Sequence, residues 1–183
     1  RIPEPGYDAI IADVPCSGSA TTRKNVKVWE KWQPLDGRSL FTLQVTIAER
    51  GARALRPGGK FVYSTCSIDP VENEAVVAEL LRRCPWMELV EITEDSLPGL
   101  KLRDGLSTWD IIDDAGRVVT ISDHIPRLSG LKLAHLSPIQ RQSVDAHSDR
   151  LEEEFIASQL PLSKRLYHMD NDTGGFFVAL LRH

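Results

Sequence analysis

The chain has 183 residues, with 22 Lys and Arg against 26 Asp and Glu and a formal net charge of -4. That length suits one domain with a sizeable core, and 42% hydrophobic with 26% charged residues is an ordinary globular balance. Excluded are a strongly basic nucleic-acid-binding chain, a bilayer-spanning apolar run and a secreted disulfide framework, since the three cysteines Cys16, Cys66 and Cys84 are odd in number and widely spaced.

The expected setting is intracellular and reducing, without a membrane, and no Cys-x-x-Cys or paired His/Cys spacing suggests a metal. The chain opens Arg1-Ile2-Pro3-Glu4-Pro5-Gly6, with neither an initiator methionine nor a signal-peptide pattern, and reads as a piece of a longer protein.

The first apolar run, Tyr7 to Val14, follows Pro-Gly and stops at Pro15. It is short and punctuated, which predicts a buried parallel strand with Asp13 near its end. Residues 15–34 read as a long loop with one helical turn, carrying Arg23, Lys24, Lys27 and Lys31 around Trp29 and Trp32. Leu40, Leu43, Ile47, Ala48, Ala52 and Leu55 recur at helical spacing, predicting an amphipathic helix over about 37–55 that Pro57-Gly58-Gly59 stops. Lys60 to Cys66 is a second strand, and Pro70 is placed in the first turn of a helix running to Arg83.

A third strand is expected over Glu88 to Thr93, then an irregular insertion over about 94–146. Within it, Thr108–Ile112 and Arg117–Ile121 suit a hairpin, and 122–146 reads as loop. Asp149 and Glu152 have capping-box spacing for a helix ending near Leu160, and Gly174-Gly175 introduces a last strand through Leu181. The sum is the second half of a doubly wound α/β sheet, closed by an antiparallel pair.

Two thiols, Cys16 and Cys66, stand at the exits of predicted strands, where open α/β sheets bind ligands. A thiolate adds readily to an electron-poor ring carbon. Carbon 5 of a pyrimidine becomes nucleophilic once a thiolate has added at carbon 6, and methylation there then needs an acid near ring N3 and a group that assists elimination. Cys66, Cys16 and Asp13 supply these residue types at one sheet edge. Either cysteine alone is equally well explained as a buried thiol, and Asp13 as a turn residue.

Asp13-Val14-Pro15-Cys16-Ser17-Gly18, Ser64-Thr65-Cys66-Ser67, Pro70-Val71-Glu72-Asn73-Glu74 and Gly174-Gly175-Phe176-Phe177 together resemble the Nop/Sun family of RNA (cytosine-5) methyltransferases. Thr22-Arg23-Lys24-Asn25 with Trp29-Glu30-Lys31-Trp32 is most similar to its eukaryotic tRNA members. The resemblance implies a Rossmann-like sheet and S-adenosyl-L-methionine as methyl donor. It also implies RNA, tRNA first, as partner, and a nuclear or nucleolar location if the source is eukaryotic and a cytoplasmic one otherwise.

By the same resemblance Cys66 is the nucleophile, Cys16 assists product release, and Asp13 stands where cofactor and target base meet. Pro15 shapes the cofactor side, and Arg23 and Lys24 approach the RNA. Glu72 and Asn73 either hold the Cys66 loop or cap the next helix. The Gly-rich loop and ribose-binding acid of the family's N-terminal cofactor-binding half have no counterpart in these 183 residues, so residues 1–183 correspond to the C-terminal half of the catalytic region. The alternatives are the same chemistry on ribosomal or messenger RNA, and a non-catalytic RNA-binding module that kept the fold.

Overall fold

The computed structural model describes residues 2–113, 115–120 and 146–183. In chain order the elements are β1 (Tyr7–Asp13), α1 (Lys27–Lys31), α2 (Pro34–Ala54), β2 (Leu55–Thr65), α3 (Glu74–Arg83), β3 (Glu88–Val90) and β4 (Arg103–Asp104). There follow β5 (Ile111–Ile112), β6 (Val118–Thr120), α4 (Ala146–Gln159), β7 (Lys164–Leu166), α5 (His168–Asn171) and β8 (Phe176–Arg182).

β1 and β2 pair in parallel, with Ile10 opposite Phe61 and Asp13 opposite Ser64. A parallel pair needs a crossover, which α1 and α2 supply. β8 lies antiparallel on the other edge of β2, from Lys60 opposite Arg182 to Thr65 opposite Phe177. The far edge of β8 is shared: β7 takes Phe176 to Val178 and β3 takes Leu180 to Arg182. β4 extends the sheet beyond β7, while β5 and β6 form a separate hairpin. Val45, Ala48 and Ala52 of α2 and Val76, Val77 and Leu80 of α3 form one buried core with Phe61, Tyr63, Phe177 and Leu181 of the sheet.

The mixed α/β sheet and its antiparallel close agree with the pattern of the sequence. Four local expectations need correction. β1 is an edge strand and not a buried one: Ile11 is 75% exposed. On α2 the buried stripe is Phe41, Gln44, Val45, Ala48 and Ala52, and Leu43 points outward at 48% exposure. The helix after β2 begins at Glu74, not at Pro70, because Glu72 and Asn73 turn inward instead of propagating it. α4 begins at Ala146, so Asp149 lies inside the helix and does not cap it; an acid in the first turns suits the helix dipole in either place.

Among the described residues, the expected insertion contributes to both the sheet and the core. It adds strand β4 to the main sheet, and Trp109 and Ile111 enter the core. The loop expected over 122–146 lies outside the described residues, apart from Ala146 at the start of α4.

Candidate active site

Asp13 ends β1 and Cys66 directly follows β2, so parallel pairing brings both to one end of the sheet. Val14 extends the ladder by donating its N–H to the Ser64 carbonyl at 3.1 Å, and the chain then turns at Pro15. Cys16 and Cys66, both half-buried, stand with their Sγ atoms 3.4 Å apart. The Cys16 thiol is pushed up to about 12 by burial first, then by its hydrogen bond with Cys66, against a lowering contact with the Gly18 backbone. At neutral pH Cys16 therefore keeps its proton, and the two sulfurs are within hydrogen-bond reach with either as donor. Ser64 Oγ donates to Asp13 Oδ1 at 3.0 Å, which orients the exposed carboxylate at the same edge.

Glu72 joins the two thiol loops. It is fully buried, and its Oε1 accepts from the Ser17 N–H at 2.8 Å and from Gln44 Nε2 at 3.1 Å. Its Oε2 accepts from the hydroxyls of Ser17 and Ser67, each at 2.5 Å. Ser17 follows Cys16 and Ser67 follows Cys66, so one carboxylate sets both loops. Gln44 also donates to the Pro15 carbonyl at 2.9 Å, and Trp32 Nε1 donates to Ser17 Oγ at 3.0 Å. Asn73 accepts from Thr65 Oγ1 at 2.6 Å and donates to the Ser67 carbonyl at 2.9 Å. Of the two roles weighed for Glu72 and Asn73, holding the loop is the one seen; Asn73 makes no side-chain cap bond.

Lys24 and Cys66 line one cavity of about 390 Å³, together with Thr21, Leu100, Gly174 and Phe176. Gly18 takes φ 70° where the Cys16 loop enters a 3₁₀ turn at Ser19–Thr21. Gly175 donates its N–H to the Ala20 carbonyl at 3.1 Å, and a Cβ there would stand 2.8 Å from that of Ala20. Arg23 does not join Cys66 but pairs with Asp172 at 2.5 Å on the surface. An exposed pair of this kind contributes little and yields readily to a phosphate. Pro15 is exposed beside Asp13. A larger cavity of about 530 Å³, lined by Trp29, Trp32, Trp109 and Ile68 among others, contains neither thiol.

Sequence reasoning did not find Gln44, Ser17 or Ser67. A polar residue within the apolar rhythm of α2 was the one available sign of Gln44, and choosing the wrong stripe hid it. Arg165 was missed as well. It is 3% exposed, bonds both oxygens of buried Glu74 and donates from Nη1 to the Ile68 carbonyl at 2.9 Å, two residues after Cys66.

The family model described as 16S rRNA methyltransferase RsmB/F matches residues 2–182. A Saccharomyces cerevisiae protein named multisite-specific tRNA:(cytosine-C(5))-methyltransferase is 36% identical, over 95% of this chain and 23% of its own length. A Drosophila melanogaster protein named tRNA (cytosine(34)-C(5))-methyltransferase is 34% identical, over 96% of this chain and 22% of its own. The chain thus spans about a quarter of the curated relatives it matches. A methyltransferase homolog from Pyrococcus horikoshii superposes with a TM-score of 0.56 at 24% identity, covering 97% of this chain and 39% of that one. NSun6 from the same organism, solved with SFG, gives 0.52 at 21% identity over 94% of this chain and 29% of that one. These likenesses extend to the fold what the sequence match gives for descent: the chain belongs to the RsmB/F methyltransferase family.

Proposed function

We propose that this chain carries the base-activating chemistry of an RNA (cytosine-5) methyltransferase whose substrate is tRNA. The observation that supports it most is the 3.4 Å thiol pair at the end of two parallel strands, with Asp13 on the same edge. The tRNA assignment rests on the names of relatives matched over nearly the whole chain. A ribosomal RNA target is the second reading, favoured by the description of the family model.

In this scheme Cys66 Sγ forms a bond to carbon 6 of the cytosine, and that bond breaks again when the product leaves. Asp13 holds the proton at N3 while the adduct exists. Cys16 assists removal of the carbon-5 proton, which restores the ring double bond and expels Cys66. Asp13 and Pro15, both exposed at this edge, would form part of the site for S-adenosyl-L-methionine, which would supply the methyl group. The target base has to leave its stack to reach a thiol in this cavity, with Lys24 at its rim and Arg23 nearby for phosphate.

In the full-length protein, Cys66→Ala is expected to abolish methylation and any covalent RNA complex. Cys16→Ala is expected to accumulate a protein–RNA adduct that survives denaturing electrophoresis. An adduct from Cys66→Ala instead would reverse the two roles. Bisulfite sequencing of RNA with and without the gene separates tRNA from ribosomal RNA targets. The 183-residue chain by itself is expected to bind S-adenosyl-L-methionine weakly or not at all, and tight binding in calorimetry would refute the division of the cofactor site.

A further inference from the structure

We propose that the cleft beside Trp29 is a second base subsite, which holds an unpaired nucleobase of the same RNA next to the methylated cytosine. This rests on the methyltransferase reading above. The cleft measures about 530 Å³ and is walled by Trp29, Trp32, Trp109, Ile68 and Val71. Trp29 is 75% exposed and is not part of the core formed by the described residues. An exposed indole is a stacking platform that accepts any base, because every base has a π face.

The cleft adjoins the thiols. Ser19 and Ile68 are in its wall, Ser19 Oγ lies 2.8 Å from Ser67 Oγ, and Ala20 donates its N–H to the Cys66 carbonyl at 3.1 Å. Trp32 is fixed to the same site through its bond to Ser17. A strand whose target base occupies the Cys66 cavity therefore carries its neighbours past this opening.

Charge separates a base from a phosphate as occupant. Asp69 and Asp110 line the cleft against one arginine, Arg38, so its interior offers no cationic cluster for a phosphate. Arg23, Lys24, Lys27 and Lys31 surround Trp29 on the chain against one acid, Glu30, in a protein of net charge -4. Lys24, Lys27 and Lys31 are exposed. The backbone then runs along the cations and the neutral base enters the cleft. Trp109 Nε1 is a buried donor without a partner among the described residues, and a nucleobase brings carbonyl and ring-nitrogen acceptors.

The test uses the full-length protein as wild type, Trp29→Ala and Trp29→Phe, with single-stranded RNAs of about a dozen nucleotides around one central cytosine. A series of these RNAs lacks the base at one flanking position each. Binding is read by fluorescence anisotropy and methylation is read separately. Trp29→Ala is expected to raise the Kd and KM for intact RNA by roughly tenfold, and Trp29→Phe to restore most of the loss. On the RNA that lacks the stacked base, wild type and Trp29→Ala are expected to bind alike.

Equal binding of wild type and Trp29→Ala to every RNA overturns the subsite, as does absence of wild-type binding to any of them. An equal Trp29→Ala penalty on intact RNA and every abasic RNA also overturns it, and points to a protein segment as occupant. Failure of the methyltransferase reading is a different result: wild type binds RNA with the Trp29 dependence but neither methylates it nor, as Cys16→Ala, traps it.

Discussion

The proton on Cys16 is held partly by its neighbour Cys66, the nucleophile of the proposed reaction. Burial is the leading reason its thiol sits near 12, but its hydrogen bond and charge interaction with Cys66 add to it. In the proposed scheme, once Cys66 is bonded to a ring carbon both of those contributions are lost, and Cys16 gives up its proton more readily, so more of it is present as the thiolate that takes the carbon-5 proton. The same reasoning applies without RNA. Cys66→Ala is expected to speed alkylation of Cys16 by iodoacetamide at pH 8 by roughly tenfold, measured by mass spectrometry. No change in that rate would mean that burial alone sets the thiol.

Asp69, three residues after Cys66, is likewise shifted, to about 6, first by burial and then by the nearby carboxylates Glu72 and Glu74, against the Val71 N–H that lowers it. A raised acid favours the folded state when protonated, so this stabilisation is complete below about pH 4 and is lost as pH rises through 6. Asp69→Asn keeps an acceptor for the Val71 N–H, now bound at 2.9 Å. Its melting temperature should exceed wild type at pH 7.5, by the equivalent of about 2 kcal/mol, and match it at pH 4.

At the scale of elements, the start of α3 was shaped by the site and not by helix propensity. Pro70 is well suited to a first helical turn, and the sequence placed it there. The chain instead holds Glu72 and Asn73 outside the helix and aims them at the Cys16 and Cys66 loops. Glu72→Ala leaves the half-buried Ser17 N–H without its acceptor and frees both loops. A loss of roughly 3 kcal/mol in urea unfolding is expected, with methylation falling further than stability alone accounts for. Glu72→Gln keeps the volume and half of the acceptors and should fall between.

This region also marks what the sequence could disclose. Strand exits at Asp13 and Cys66 were legible because they follow from short apolar runs ended by Pro15 and Ser67, and pairing in parallel then forces them together. The Glu72 contacts were only half legible. Their donors come from Ser17, Gln44 and Ser67, up to 55 residues from Glu72, and no local periodicity encodes such a meeting. The exposed β1 edge misled for a related reason: an apolar run declares that it seeks cover, not whether this chain supplies it.

Across the whole molecule, the thiol site depends on the last strands of the chain. Arg165 on β7 lies 91 residues after Glu74 and 97 after Ile68, yet it binds both, and Glu74 also accepts the Leu106 N–H at 3.0 Å. One buried ion pair thus ties the insertion, the start of α3, the Cys66 exit and the β7–β8 pair into one unit, with side chains 3% and 0% exposed. Such a pair need not add net stability over an apolar replacement, but removing one partner strands a charge in the core. Arg165→Met is therefore expected to cost roughly 3–5 kcal/mol in urea unfolding, and the double variant Glu74→Gln with Arg165→Met to recover much of it.

Activity should not recover with stability, because the Ile68 carbonyl still lacks its donor and the loop carrying Cys66 is no longer braced. A double variant that regains both stability and full methylation would reduce Arg165 to a packing residue. One that regains stability alone would place the pair among the groups that hold the Cys66 loop in position.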